Sequence, residues 1–228
     1  MFDLIILQSK LKLQFGGWQD EIIEQQLCCK YIHPNMNILE LGSNIGRVTM
    51  IISSILNNGT GQLITLETNK NIYNNLLINK TNNNLNFNAM NKALSYLEMT
   101  HLYDVGNNWL SFPKEEIMKY KITSELINEN WENVETITFE EIESQFKITF
   151  DTLVIDCEGA FYHILKSNED ILNNINLIII ENDCLIDEHS IFIFDIFKKR
   201  GFKAVESCTS DDAWGYCKDF FWQVYRKE

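Results

Sequence analysis

The chain has 228 residues, 45% of them hydrophobic, enough to bury one sizeable core, so one domain is expected. A formal charge of −13 and an isoelectric point near 4.7 set the surface against a phosphate backbone and make nucleic acid a poor partner. No run approaches the roughly 18 apolar residues of a membrane span, and the opening Met-Phe-Asp-Leu lacks the basic leader of a signal peptide.

Cys28, Cys29, Cys157, Cys184, Cys208 and Cys217 form no Cys-x-x-Cys pair and no zinc-like spacing. They read as small core residues in a reducing compartment, and the expectation is a soluble, cytoplasmic protein. Nothing in the sequence sets an oligomeric state.

Residues 1–35 predict a small helical cap, with helices from Leu4 to Lys12 and from Asp20 to Tyr31 broken at Gly16-Gly17-Trp18. Asp20 is the expected N-cap of the second helix, with Ile22, Ile23 and Leu27 inward. Trp18 either packs over the sheet edge or serves as a lid near a ligand. The core, 36–228, starts after the turn His33-Pro34-Asn35 with a short buried strand, Asn37 to Leu41. Gly42-Ser43-Asn44-Ile45-Gly46 is then a tight turn, and Arg47 to Leu56 a helix with Val48, Ile51, Ile52 and Ile55 on its apolar face. Gly42 serves the sharp turn. Gly46 has no side chain to hold a ligand away from the helix N-terminus. Such strand–turn–helix units hold nucleotides and nucleotide-like cofactors.

Gln62 to Glu67 is a second strand. Glu67 ends it about 20 residues past the glycine turn, where a carboxylate accepts hydrogen bonds from ribose hydroxyls. A helix from Asn69 to Asn79 with Ile72, Leu76 and Leu77 inward leads to a third strand, Phe87 to Asn91, followed by Ala93-Leu94-Ser95. The end of that strand is expected near the base of a bound nucleoside. Residues 96–134 read as an insertion on the sheet or the edge of a substrate cleft, with turn signals at Gly106-Asn-Asn-Trp109 and Ser111-Phe-Pro113 and a helix across Ile117 to Trp131. A brief strand at Glu135 to Thr138 and a helix from Phe139 to Phe146 follow.

Leu153-Val-Ile155 is a buried parallel strand with Asp156, Glu158 and Gly159 at its carboxyl end, before a helix from Ala160 to Lys166. The strand from Leu177 repeats the pattern and ends in Glu181, Asn182 and Asp183. A helix from Ser190 to Arg200 stops at Gly201, and strands Phe202 to Val205 and Phe220 to Tyr225 lack a crossover helix, so they predict an antiparallel edge hairpin. The alternation gives an α/β fold with a doubly wound, mostly parallel sheet. Ligands bind such sheets at the carboxyl ends of the strands, near the point where strand order reverses. Paired carboxylates there are costly unless they meet a donor, a metal or a cationic cofactor.

Ile38-Leu-Glu-Leu-Gly-Ser-Asn-Ile-Gly46, Leu66-Glu-Thr-Asn69, Asn91-Lys-Ala-Leu-Ser95 and Ile155-Asp-Cys-Glu-Gly159 resemble, in order, the marks of the FkbM-type methyltransferases, class I enzymes dependent on S-adenosylmethionine. The resemblance runs from about Trp18 to the C-terminus. It implies a seven-stranded Rossmann-like sheet, S-adenosylmethionine as cofactor, and O-methylation, often of a sugar hydroxyl of a glycan or glycoside. It places Glu40, Gly42, Asn44 and Gly46 around the methionine portion and Glu67 on the ribose, with Ser43 and Thr68 also binding the cofactor. Asn91, Ala93 and Asp156 complete the implied cofactor-binding set. Ser43 stands where alanine is usual, Thr68 where proline is usual, and Phe161 where an acid is common.

Methyl transfer to a hydroxyl needs in-line alignment and removal of the acceptor's proton. A sugar hydroxyl is a weak acid, so it needs a base or a metal. In one version Asp156 or Glu158 is the base. In the other, Asp156, Glu181 and Asn182 hold Mg²⁺ or Mn²⁺ as hard oxygen ligands, a pattern similar to catechol-type O-methyltransferases. His163 is a lesser base candidate. A metal-dependent O-methyltransferase of a small non-sugar hydroxyl, or a non-catalytic cofactor-binding protein, would carry the same residues. A nicotinamide-dependent oxidoreductase should instead show Gly-x-Gly-x-x-Gly.

Overall fold

A computed structural model describes residues 1–102, 111–114, 131–184, 186–209 and 215–228. It opens with helices α1 (Leu4–Ser9) and α2 (Ile22–Tyr31). Asp3 caps α1 by accepting from the Ile6 N–H. Both helices are shorter than the sequence predicts. At α2 the reason is local: Glu21 adopts the left-handed conformation, φ 60°, and Asp20 turns to Arg47 instead of capping.

Next come β1 (Ile38–Leu41), α3 (Arg47–Leu56), β2 (Leu63–Leu66), α4 (Lys70–Asn82) and β3 (Asn88–Met90). Helix α3 is buried nearly all round rather than on one face, because α1 and α2 pack over the side turned away from the sheet. Asn69 caps α4, which continues past its expected end at Asn79. Asn79 is buried inside it, donating to the Ile45 carbonyl and accepting from the Gln14 N–H.

β4 (Ala93–Leu94) is followed by β5 (Met99–Leu102), β6 (Ser111–Pro113) and β7 (Trp131–Val134), then by β8 (Thr136–Ile137). β4 and β8 pair in parallel, while β6-β5-β7 form a small antiparallel sheet. Of the helix expected across Ile117 to Trp131, only Trp131 lies within the described residues, and it begins β7. The Gly106-Asn-Asn-Trp109 turn also lies outside them. Ser111-Phe-Pro113 is strand rather than turn.

α5 (Phe139–Phe146) starts at a capping box in which the Glu141 N–H donates to Thr138 and the Thr138 N–H to Glu141. β9 (Thr152–Ile155), α6 (Ala160–Ser167), β10 (Leu177–Glu181), α7 (Asp187–Lys199), β11 (Phe202–Cys208) and β12 (Trp222–Lys227) complete the chain. Helix α7 begins three residues before its expected start, with Asp187 and Glu188 in its first turn, where they suit the helix dipole.

The main sheet has seven strands in the order β3-β2-β1-β9-β10-β12-β11. β12 is antiparallel to both its neighbours and the other pairs are parallel, which gives the expected edge hairpin. Strand order reverses between β1 and β9. Both faces are covered, as parallel sheets require. Leu39, Leu41, Leu153 and Ile155 face α5–α7 with Phe150, Phe161 and Phe197, while Ile38, Val154 and Ile179 face α2 and α3 with Leu27, Met50 and Ile52. No helix among the described residues is long and apolar enough to cross a membrane.

Candidate functional site

A cavity of about 380 Å³ opens at the carboxyl ends of β1, β2, β9 and β10, over the point where strand order reverses. The glycine turn forms its floor. Gly42 has φ 84°, and a Cβ there would sit 1.5 Å from the Asp156 carbonyl oxygen, so the turn is pressed backbone to backbone against the end of β9. Gly46 serves packing. Its Cβ would meet Leu76 Cδ1 of α4 at 2.5 Å, so the missing side chain admits Leu76 rather than a ligand.

Glu67 stands at the end of β2 on the cavity wall, 7% exposed. Its Oε2 accepts from the Asn44 N–H at 2.9 Å and its Oε1 from the Asn69 N–H at 2.8 Å. Burial pushes its pKa up to about 7, against the pull of those N–H groups. Asn91 donates from Nδ2 to the Glu67 and Thr68 carbonyls, which shapes the loop behind the carboxylate. Thr68, Lys92, Ala93, Leu94 and Met99 line this end of the cavity. Glu40, Ser43, Gly46 and Asn91 stand behind the wall: Glu40 points from β1 toward α3, accepts from Thr49 Oγ1 at 2.7 Å, and burial raises its pKa to about 7.

The N-terminal helices supply part of the site, which sequence reasoning missed. Arg47, in the first turn of α3, donates from Nη1 to Glu21, from Nη2 to Asp20 and from Nε to the Gly17 carbonyl, at 2.7–2.8 Å. Glu21 also accepts from Asn44 Nδ2 at 3.1 Å and lines the cavity. Burial dominates its pKa, about 7, with Arg47 opposing. The available signal was Arg47 itself, since a cation in an apolar helix demands a partner. Trp18 packs against the apolar cluster under α3 and lies off the wall.

Opposite Glu67 the wall is acidic, with Glu24, Asp156, Glu158 and Glu181. Trp222, paired with Glu181 across β12 and β10, donates its indole N–H to Glu24 Oε1 at 2.7 Å and to Glu181 Oε2 at 2.8 Å. Carboxylate oxygens of Glu24, Asp156 and Glu181 lie within 4.8 Å of one another, as do those of Asp156, Glu158 and Asp183. Burial, then the neighbouring Asp183, Glu24, Glu21 and Glu158, hold the Asp156 pKa well above the carboxylate range. Burial raises Glu158, whose backbone is left-handed at φ 52°, and burial with Asp156 raises Glu181. Asp183 accepts from the Gly159 N–H at 2.9 Å and is raised to about 8 by burial and Glu158.

Asn182 is buried and donates from Nδ2 to the Phe220 carbonyl and to Gln223, away from the cavity. His163 is buried beside Tyr162 and His189, off the wall, and Phe161 packs on Phe197 in the core. Among the described lining residues, Glu21, Glu24, Glu67, Asp156, Glu158 and Glu181 face a single basic side chain, Lys92. That donor set fits a ligand carrying positive charge at one end and an uncharged ring at the Ala93–Met99 end.

The sequence model of the methyltransferase FkbM domain matches residues 40–204. No curated protein matches the chain in sequence. Among solved structures, the O-methyltransferase from Bacillus cereus in complex with SAH is similar at 17% identity and TM-score 0.49, covering 98% of this chain and 90% of that one. A methyltransferase from Pyrococcus furiosus is similar at 11% identity and TM-score 0.46, with coverages of 95% and 89%. A chain of the fibrillarin/Nop5p complex is similar at 13% identity and TM-score 0.49, with coverages of 95% and 88%.

Proposed function

The chain belongs to the methyltransferase FkbM family, and on that premise we propose that this S-adenosylmethionine-dependent enzyme methylates a hydroxyl group, with a sugar or glycan as acceptor. The observation that carries the reading is the division of one cavity between a ribose-type acid, Glu67, and a wall of closely spaced carboxylates at the ends of β9 and β10.

S-adenosylmethionine supplies a methyl carbon on a positively charged sulfur; as the acceptor oxygen bonds that carbon, the carbon–sulfur bond breaks and a neutral thioether leaves. Glu67, held by two backbone N–H groups, retains lone pairs to accept from ribose hydroxyls. Ala93, Leu94 and Met99 offer an apolar seat for the base, and Asn44 and Gly42 border the amino-acid end. The acidic wall attracts positive charge, and a bound cation draws the raised pKa values of Asp156 and Glu181 back down. Glu158, beside Asp156, accepts the hydroxyl proton. Burial raises its pKa, which makes its carboxylate form a better proton acceptor than an ordinary one. A neutral acceptor suits a chain of charge −13, which would repel a polyanion.

Calorimetric titration with S-adenosylhomocysteine, followed by transfer of labelled methyl from S-adenosylmethionine to a panel of glycosides, tests the reading. The expected result is micromolar binding and one methyl added to a sugar oxygen. Folded protein that binds no S-adenosylhomocysteine overturns the cofactor assignment, and exclusive labelling of nitrogen or carbon overturns the hydroxyl acceptor.

A further inference from the structure

We propose that Glu24, Asp156 and Glu181 form a divalent-cation site in the cavity wall, with Trp222 fixing two of the three ligands. The three residues come from α2, the end of β9 and the end of β10, so the site exists only once the N-terminal helices have docked on the sheet. Their oxygens lie within 4.8 Å of one another. Oxygen ligands at about 2.0–2.6 Å from Mg²⁺ or Ca²⁺ lie up to about 4–5 Å apart across the ion, so small side-chain movements would close the site.

Two observations separate this group from an ordinary acidic cluster. Trp222 donates one N–H to both Glu24 Oε1 and Glu181 Oε2, locking the two carboxylates face to face. The other oxygen of Glu24, Oε2, is buried and has no hydrogen-bond partner among the described residues, in a side chain that lines the cavity and is 4% exposed as a residue. An unsatisfied carboxylate oxygen out of contact with water is costly, and a ligand would remove that cost. The guanidinium of Arg47 is already committed to Gly17, Asp20 and Glu21. Three carboxylates balance a dication better than the single charge of an ammonium, and all-oxygen ligands favour Mg²⁺ or Mn²⁺ over softer ions. Glu24 takes the place the sequence suggested for Asn182, whose amide is spent on Phe220 and Gln223. The consequence for chemistry rests on the methyl-transfer reading: a cation here would bind the acceptor hydroxyl and lower its pKa.

Terbium luminescence tests the site, because Trp222 touches two of the proposed ligands and serves as the antenna. With the full chain, excitation of tryptophan is expected to give Tb³⁺ emission that saturates at one ion per chain and is displaced by Mn²⁺ or Mg²⁺. Glu24→Gln should weaken Tb³⁺ and Mn²⁺ binding at least tenfold, whereas Glu188→Gln on the exposed start of α7 should leave both unchanged. If Glu24→Gln fails to fold, Glu181→Gln carries the same expectation. Absence of sensitised emission, or equal affinity in both ligand variants and wild type, overturns the proposal. Stoichiometric release of Tb³⁺ by S-adenosylhomocysteine also overturns it and assigns the carboxylates to the cofactor's ammonium. S-adenosylhomocysteine binding measured in EDTA keeps the two readings apart: if it persists while Tb³⁺ binding fails, the cation site falls and the methyltransferase stands.

Discussion

Glu67 combines two requirements that pull in opposite directions. On the proposed reading it must be buried to sit under a ribose, yet it must remain a carboxylate to accept two hydroxyls. The N–H groups of Asn44 and Asn69 reconcile these by holding both oxygens in the charged form's geometry. Glu67→Ala removes the two charge-assisted bonds proposed to a ligand, each worth about 1.5–3 kcal/mol, so calorimetry should show S-adenosylhomocysteine affinity falling by about 100-fold or more, with the fold retained. Gly42 is the opposite kind of residue, one whose side chain must be absent. A methyl at 1.5 Å from the Asp156 carbonyl, on a backbone at φ 84°, forces β1 and β9 apart. Gly42→Ala should therefore lower urea-unfolding stability by about 3 kcal/mol or more.

At the scale of elements, the glycine turn and α2 behave as one unit because Arg47 and Asn44 both reach Glu21. A planar guanidinium reaches three separated acceptors from three nitrogens, whereas an ammonium offers its three donors from a single one. Arg47→Lys should cost about 2–4 kcal/mol, and hydrogen exchange should show protection lost over residues 16–24 before it is lost in β1 or β9. This coupling was only half legible. The strands β1, β2, β9 and β10 stood out because short apolar runs ended in glycine or acid, and α5 was bounded by its capping box. Other helix ends shifted by one to three residues where a cap or a left-handed residue decided the boundary, as at Asn69 and Glu21. Glu24 and Trp222 left no local pattern at all. Their hydrogen bond joins positions 198 residues apart, and only the order β9-β10-β12 beneath α2 brings them together.

The whole molecule carries its acidity unevenly, with six acids around one cavity. Glu21, Glu40 and Glu67 each have pKa values raised to about 7 from an ordinary 4.5. Their protonated forms are bound more tightly by the folded than by the unfolded chain. Stability from this source is therefore full below about pH 4.5 and is lost as pH rises toward 7. In the ligand-free protein these groups should make Tm fall between pH 5.5 and pH 8, as scanning calorimetry at fixed ionic strength would show. Saturating S-adenosylmethionine, by bringing positive charge to the cavity, should flatten that slope.

The register that sets β1 beside β9 joins residues about 114 positions apart, as the Asn37–Asp151 hydrogen bond shows. Everything between is, in polymer terms, one long loop closed where β1 pairs with β9. The entropy of closing such a loop grows only with the logarithm of its length, so doubling it costs about 0.6 kcal/mol. Lengthening the stretch between β4 and β8 thus adds little closure entropy to the cost of forming the sheet. Such changes would reach the wall beside Met99, at the proposed base end of the cavity, while the strands that hold Glu67 and Asp156 stay where they are.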